Sequence, residues 1–383
     1  MPKKIIQEGE TKLAVPYFSE PKMLPAFFNP KGNFVREVSI ACYQAFGDSR
    51  KKLQFADALG GIGARGIRVA NEIPSFSTVF LNDINSNALK FGRASAKLNG
   101  VEKKCVFSKA EACSFLVSRE ANGGERFDCV DIDPFGTPSD YVDCAIRAVR
   151  DGGMLSLTAT DSAVLCGVYP KVALRKYLGA PLRTDYSDEV GMRLLFGLAS
   201  MTAMRLETGI MPLFCHHDKH YFRVYFTVRV GNSFSRENER EIGFLRHCFA
   251  CGFRDVVPRE EFGRKSEGIE HLVCPLCLKN GKRSRLSIGG PCWSGKIESK
   301  DFVSACRESQ ISVFLGEELD LPLYYDLAAT TKKLGTRTPR INDAIEKLQS
   351  IGYHASRTRL NPGAVRTDAG IEALLSVVGE LVQ

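Results

Sequence analysis

Residues 131–136 read DIDPFG and place a carboxylate, a proline and an aromatic ring in consecutive positions, Asp133, Pro134 and Phe135. An aspartate oxygen beside a backbone carbonyl makes a pair of hydrogen-bond acceptors. Proline fixes its own φ and so the direction of its carbonyl. Such a pair suits an exocyclic amine on a heterocyclic base, because it accepts from the N–H bonds and aims the nitrogen lone pair at an incoming carbon. Displacement at that carbon then depends chiefly on alignment of the reactants. Phe135 would stack on the base, a contact of about 1–3 kcal/mol. A second aromatic cluster, Phe27-Phe28-Asn29-Pro30, would cover the other face through Phe27. Alone, DPFG also reads as an Asp-Pro turn with a core phenylalanine, and the second cluster as core packing.

A glycine loop precedes this segment. Residues 57–68 read DALGGIGARGIR, in which Gly61, Gly63 and Gly66 satisfy G-x-G-x-x-G, and Asp83 ends the next apolar run about 20 residues on. The pattern fits NAD and S-adenosylmethionine alike, and without a ligand it is a tight strand-to-helix turn. Asp57 favours the methyl donor, since a carboxylate there would hold a cationic aminoacyl group and repel a pyrophosphate. No Tyr-x-x-x-Lys pair is present for one common kind of hydride transfer. Past the third strand, Glu111 and Ala112 would sit beside an adenine amino group, or Glu111 simply opens a helix.

Cys248-x2-Cys251 and Cys274-x2-Cys277 are two thiolate pairs 22 residues apart, the donor set of a structural Zn²⁺ site. The other nine of thirteen cysteines are scattered among apolar neighbours and read as buried, inert thiols. His216, His217 and His220 resemble metal ligands, but neighbours on a strand point to opposite faces, so packing or RNA contact near Tyr221 and Arg223 is expected instead.

Positioning these groups takes a sheet. Between 53 and 230, short apolar runs at 53–59, 79–83, 105–108, 128–133 and 154–158 alternate with helical stretches at 65–72, 86–98 and 139–149, the pattern of βαβ units. A helix at 188–207 and two further strands, 210–216 and 220–230, follow. Five parallel strands with a terminal antiparallel pair make a doubly wound α/β sheet of the class I methyltransferase kind, Rossmann-like, with a zinc-ribbon-like insert and a smaller α+β C-terminal domain. The expected divisions are 1–240 for the catalytic domain with its N-terminal extension, 241–296 for the insert and return to the core, and 297–383 for the C-terminal domain. Residues 231–241 (GNSFSRENERE) read as a linker. Residues 331–366 hold eight Lys or Arg against two acids; Lys332, Lys333, Arg337, Arg340, Arg357, Arg359 and Arg366 are expected to face phosphate, with a helix at 339–351 inside a winged-helix-like module.

Composition agrees. The 383 residues are 44% hydrophobic and 25% charged, those of an ordinary globular protein, and the formal charge of +8 permits a nucleic-acid partner. The longest uncharged stretch, 194–204, is too short to span a bilayer, and the opening residues carry no apolar run of a secretory signal. An odd cysteine count without such a signal fits a reducing cytoplasm. No membrane partner and no obligate protein partner is expected.

Taken together, the residues resemble the tRNA guanine-26 N2-dimethyltransferase family over nearly the whole chain. The resemblance rests on IQEG (6–9), FFNP with Arg36, GARGIR (63–68), NDI (82–84), DIDPFGTP (131–138), TATDSAVLCGVYP (158–170), RKYLGAPLR (175–183), EVG (189–191), HYFR (220–223), GGPCW (289–293) and SRTRLNP (356–362). It implies S-adenosylmethionine as donor, tRNA as partner and two successive methylations of guanine N2. It also implies cofactor contacts at Arg36, Arg65 or Arg68, Asp83, Glu111 and Ala112, to which the loop reading adds Asp57, Gly61, Gly63 and Asp131. Base contacts implied are Phe27, Asp133, Pro134 and Phe135. The chain departs from the pattern at Asp188, where a histidine is expected before Glu189-Val190-Gly191. An NAD-linked oxidoreductase and a non-catalytic RNA-binding protein are the competing readings.

Overall fold

Seven strands form one sheet, in the spatial order 105–108, 76–82, 53–57, 127–132, 149–159, 221–230 and 208–218, in the computed structural model, which describes residues 3–17, 25–121, 123–218, 220–264, 272–307 and 318–382. The five parallel strands are β3 (Leu53–Asp57), β4 (Phe76–Asn82), β5 (Cys105–Ser108), β6 (Phe127–Ile132) and β7 (Val149–Ala159). β8 (Thr208–Asp218) and β9 (Tyr221–Val230) close the edge, with β9 antiparallel to both neighbours. Every residue of β6 is buried, as expected of a parallel strand covered on both faces.

Helices cover those faces. α1 (Asn33–Gly47), α2 (Ala64–Glu72), α3 (Ser86–Leu98), α4 (Ala112–Ala121), α5 (Val142–Ala148), α6 (Ser162–Leu165), α7 (Pro170–Tyr177) and the long α8 (Ser187–Met204) follow in chain order. α3 starts at Asn85, whose side chain accepts from the amides of Asn87 and Ala88. An N-terminal hairpin, β1 (Lys3–Glu8) and β2 (Thr11–Pro16), packs through β2 on α3. The expected helix at 139–149 is shorter because β7 already begins at Val149.

Three expectations are corrected. Residues 231–241 are no linker: α9 (Asn232–Arg240) packs on β8. Its polar composition hides one decisive side chain, Asn238, which accepts from the Ile210 amide at 2.6 Å and donates to the Ile210 carbonyl at 3.0 Å. The nine scattered cysteines are not all free thiols, since Cys113 on α4 is bonded to Cys144 on α5, two helices packed side by side. Cys105 and Cys166 are only partly buried.

Beyond α9, β10 (Ile242–His247) lies between β11 (Arg254–Pro258) and β12 (Ser287–Trp293). α10 (Arg259–Arg264) and α11 (Pro275–Lys279) complete this segment, and β12 returns to pack on α8. α12 (Lys300–Arg307) then lies against α1 and β8, so it buries its apolar side on the main body. The C-terminal unit has a three-stranded sheet, β13 (Tyr325–Asp326), β15 (Asn361–Thr367) and β14 (Ala355–Thr358) in that order. α13 (Leu327–Leu334), α14 (Ile341–Ser350) and α15 (Ile371–Val382) surround it with a core of their own. No helix among the described residues is long and apolar enough to cross a membrane.

The third correction concerns charge. Lys332, Lys333, Arg337, Arg340 and Arg357 are exposed, but Arg359 and Arg366 turn inward. Arg366 pairs with Glu189 at 3.0 Å and Glu318 at 2.8 Å, and Arg359 with Glu298 and Glu318. A buried guanidinium must find carboxylates, and the acids that capture these two lie outside the basic segment.

Candidate active site

Asp131 and Asp133 flank the end of β6 on the edge where open α/β sheets hold ligands. Arg65, in the first turn of α2, reaches both: its Nη1 lies 2.6 Å from Asp131 Oδ2 and 2.8 Å from Asp133 Oδ2. Asp131 is fully buried and also accepts from Arg223 Nη2 at 2.5 Å and Ser156 Oγ at 2.7 Å. Burial by itself would raise its pKa; the Arg223 and Arg65 guanidiniums outweigh that and hold the carboxyl well below the usual range. Arg223 in turn donates to Tyr225 and Tyr43 and contacts Thr158, a closed polar network beneath the site.

Arg223 is thus a buried positioning group and cannot contact RNA. The sequence signal for it was the strand HYFRVYFTVRV, where an arginine shares the face of Tyr225 on a strand next to β7. His216 stacks on Tyr225 and Phe214, while His217 stacks on Phe222 and bonds the Leu360 carbonyl at 2.7 Å. The two histidines serve packing on different rings. The described residues hold one cluster able to bind a metal, and it contains no histidine.

After Asp133 the loop is pinned to the end of β7. Gly136 N donates to Thr160 Oγ1 at 2.7 Å and Thr160 N donates to the Gly136 carbonyl at 2.8 Å. Pro134 is buried, whereas Phe135 is 80% exposed. Phe27, 59% exposed, meets it edge to face with centroids 4.9 Å apart. Two large apolar rings thus lie in water side by side, at a site of charged groups, an apolar surface of the kind that a flat ligand can cover.

The glycine loop lies beside these groups. Gly61 has φ +54° with open space around its Cα, and Gly63 has φ +78°, where a Cβ would stand 2.8 Å from Leu81. Asp83 closes the loop: Oδ2 accepts from Gly61 N at 2.8 Å and Oδ1 from Asn85 N at 2.7 Å. Asp57 lies under the loop, accepting from Gly66 N at 3.2 Å. Burial first, and Asp131 next, push its carboxyl up to about 7 against the opposing pull of Arg65.

The remaining predicted residues have partners of their own. Glu111 caps α4, accepting from Cys113 N at 3.0 Å and Ser114 N at 2.8 Å; these bonds hold its carboxyl below the ordinary range. Ala112 beside it is buried. Arg36 forms a two-pronged pair with Glu8 at 2.6 and 2.7 Å and donates to the Asn29 carbonyl, tying the Phe27 segment to α1. Of the two arginines in the loop motif, Arg65 turns to the carboxylates and Arg68 turns away to Glu37 and Glu72.

The four predicted cysteines converge. All their Sγ atoms lie within 4.8 Å of one another, with Cys248–Cys277 at 3.7 Å and Cys251–Cys274 at 3.5 Å. A tetrahedron of thiolates at Zn–S ≈ 2.3 Å has edges of about 3.8 Å, so the set is shaped for such an ion.

Comparison with known proteins agrees with this geometry. The family model for N2,N2-dimethylguanosine tRNA methyltransferase matches residues 4–379. The tRNA (guanine(26)-N(2))-dimethyltransferase of Methanothermobacter thermautotrophicus is 34% identical, over 98% of this chain and 99% of that protein. The enzyme of the same name from Thermococcus kodakarensis is 30% identical over 97% and 98%. Among solved structures, Trm1 from Pyrococcus horikoshii in complex with S-adenosyl-L-methionine superposes with a TM-score of 0.83 at 28% identity, covering 98% of this chain and 99% of that one. A sheet of methyltransferase order, the Asp133–Phe135 loop on its ligand edge and a family match from end to end lead to one assignment: the chain belongs to the N2,N2-dimethylguanosine tRNA methyltransferase family.

Proposed function

We propose that the protein transfers two methyl groups, one after the other, to the exocyclic N2 of guanosine 26 in tRNA. The observation that carries this reading is the Asp133 carboxylate, held by Arg65 at the end of β6 and flanked by the exposed Phe27–Phe135 pair. Asp133 and the Pro134 carbonyl accept from the amine N–H groups, Phe135 stacks on the ring, and Phe27 backs Phe135 edge-on. Monomethylation leaves one N–H on the nitrogen, so one acceptor still aligns it for the second transfer. S-adenosylmethionine, when bound, supplies the electrophilic methyl group. The open backbone at Gly61 and the tight turn at Gly63, with Asp57, Asp83 and Asp131 around them, form its berth. Arg36, Arg65, Glu111 and Ala112 line the approach.

The four-cysteine cluster holds a structural zinc ion, and the exposed Lys332, Lys333, Arg337, Arg340 and Arg357 of the C-terminal unit meet tRNA phosphate. The enzyme works in the cytoplasm, where its substrate is. The test is transfer of labelled methyl to a tRNA transcript, beside a transcript with adenosine at position 26, with digested products read as nucleosides by mass spectrometry. Label in N2,N2-dimethylguanosine that vanishes with the adenosine transcript supports the reading. Label that persists moves the target to another nucleotide. Stabilisation by NADH in place of S-adenosylhomocysteine would favour the oxidoreductase alternative.

A further inference from the structure

A cavity of about 680 Å³ opens over the ends of β7, β9 and β8, and neither Asp133 nor Phe135 lines it. Its volume is that of a small-molecule site. Adjacent strands are about 4.8 Å apart, so β9 and β8 stand roughly 10 and 14 Å along the sheet from β6, which carries Asp133. A single base cannot be held at both places; the next nucleotide of the same strand can reach.

The walls present rings and two kinds of polar group. His217 and Phe222 stack at 5.6 Å with an interplanar angle of 16°, and Phe34 adds a third ring from α1. Asp188 offers a carboxylate, 4.0 Å from His217 Nε2. Opposite in character is Arg359. Glu318 takes its Nε at 3.1 Å, Glu298 takes its Nη2, and its guanidinium lies over the Phe214 ring. Its Nη1 is buried with no hydrogen-bond partner among the described residues. Arg359 still lines the cavity, so its walls offer a guanidinium and a carboxylate to the edge of a ligand.

The ligand that answers this lining is flat, aromatic, and carries a donor and an acceptor on its edge. We propose, on the basis of the tRNA reading above, that the cavity receives an unstacked nucleobase of the tRNA adjacent to the one being methylated. The Arg359 guanidinium on the cavity wall meets a ring nitrogen or carbonyl of that base, Asp188 accepts from its N–H, and the rings stack on its faces. The pocket fixes which nucleotide arrives at Asp133 by holding its neighbour.

The experiment uses the full chain and Asp188→Ala, with tRNA transcripts carrying a single abasic site on either side of guanosine 26. Asp188→Ala is expected to raise KM for tRNA about tenfold, the size expected for one lost charge-assisted hydrogen bond, with a smaller change in kcat. The S-adenosylhomocysteine thermal shift should stay as it is, which a merely structural role for Asp188 would not guarantee. One abasic transcript should show the same rise with the native chain and little further rise with Asp188→Ala. An unchanged KM for Asp188→Ala overturns the proposal, as does an abasic effect that multiplies fully with it. Should the native chain methylate no tRNA, transcript affinity measured by fluorescence anisotropy still decides: equal affinity for intact and abasic transcripts overturns the pocket independently of the catalytic reading.

Discussion

Arg65 Nη1 lies 2.8 Å from Asp133 Oδ2 and holds that carboxylate at the mouth of the site, while the same nitrogen anchors in buried Asp131 at 2.6 Å. The Asp133 carboxylate is therefore held by a group anchored in a buried acid, the preorganisation that its proposed role requires.

Replacing Asp133 with Asn keeps the shape and removes the charge and one acceptor. Single-turnover methyl transfer should fall about 10²-fold or more, the range seen when one preorganised group is lost. Thermal stabilisation by S-adenosylhomocysteine should persist. Turnover close to that of the native chain would remove Asp133 from the mechanism.

Phe135 is 80% exposed, so Phe135→Ala gives up almost no burial on folding. The melting temperature should stay within about a degree. The tRNA KM should rise by about 5- to 150-fold, the equivalent of 1–3 kcal/mol of stacking. A stability loss without a KM change would make Phe135 a packing residue.

Arg223→Met should do the reverse and act on folding. It strips a fully buried Asp131 of its 2.5 Å partner, and breaking a buried pair on one side costs about 3–5 kcal/mol. Urea unfolding should show that loss in midpoint with an unchanged slope. A loss below about 1 kcal/mol would mean that Arg65 alone compensates Asp131.

These roles were unequally legible. Loop, strand and crevice were readable because each has a local pattern: glycines at fixed spacing, apolar runs, and an acid at a strand end. What stayed hidden depended on partners far along the chain. Arg366 belongs to a basic segment by composition, and only folding brings Glu189 and Glu318 to it. Asn238 turned a polar stretch into a helix through two bonds to Ile210. Asp131 and Arg223 are 92 residues apart, and no spacing rule links them.

Asp57 gives a pH signature. Its folded carboxyl titrates at about 7, raised by burial and Asp131, whereas an aspartate in the unfolded chain titrates near 4 (~3.9). Between those values the folded protein holds a proton that the unfolded chain has released. Stability from this group is complete below about pH 4 and is lost as pH rises through about 7. Chemical denaturation of the native chain should lose stability between about pH 5 and 7.5, and Asp57→Asn should flatten that slope. Equal slopes in the two proteins would refute it.

Metal content is expected at one zinc per chain by elemental analysis. Cys274→Ser should lower both occupancy and melting temperature, since three thiolates hold the ion less well than four. A protein that is metal-free from a zinc-supplemented preparation and melts no lower as the variant would leave the cluster as packed thiols.

Glu189, with no exposed surface, accepts from the Leu323 amide and pairs with Arg193 on its own helix and with Arg366 of the C-terminal sheet. This knot lies in α8, against the catalytic sheet, yet its last strand of rope comes from β15. Cutting the chain between them would take one of two guanidinium partners from a buried acid, so the two parts are expected to melt together. If the basic C-terminal surface meets tRNA as proposed, this knot sets it at a fixed distance from Asp133, a ruler whose length is fixed before any RNA arrives.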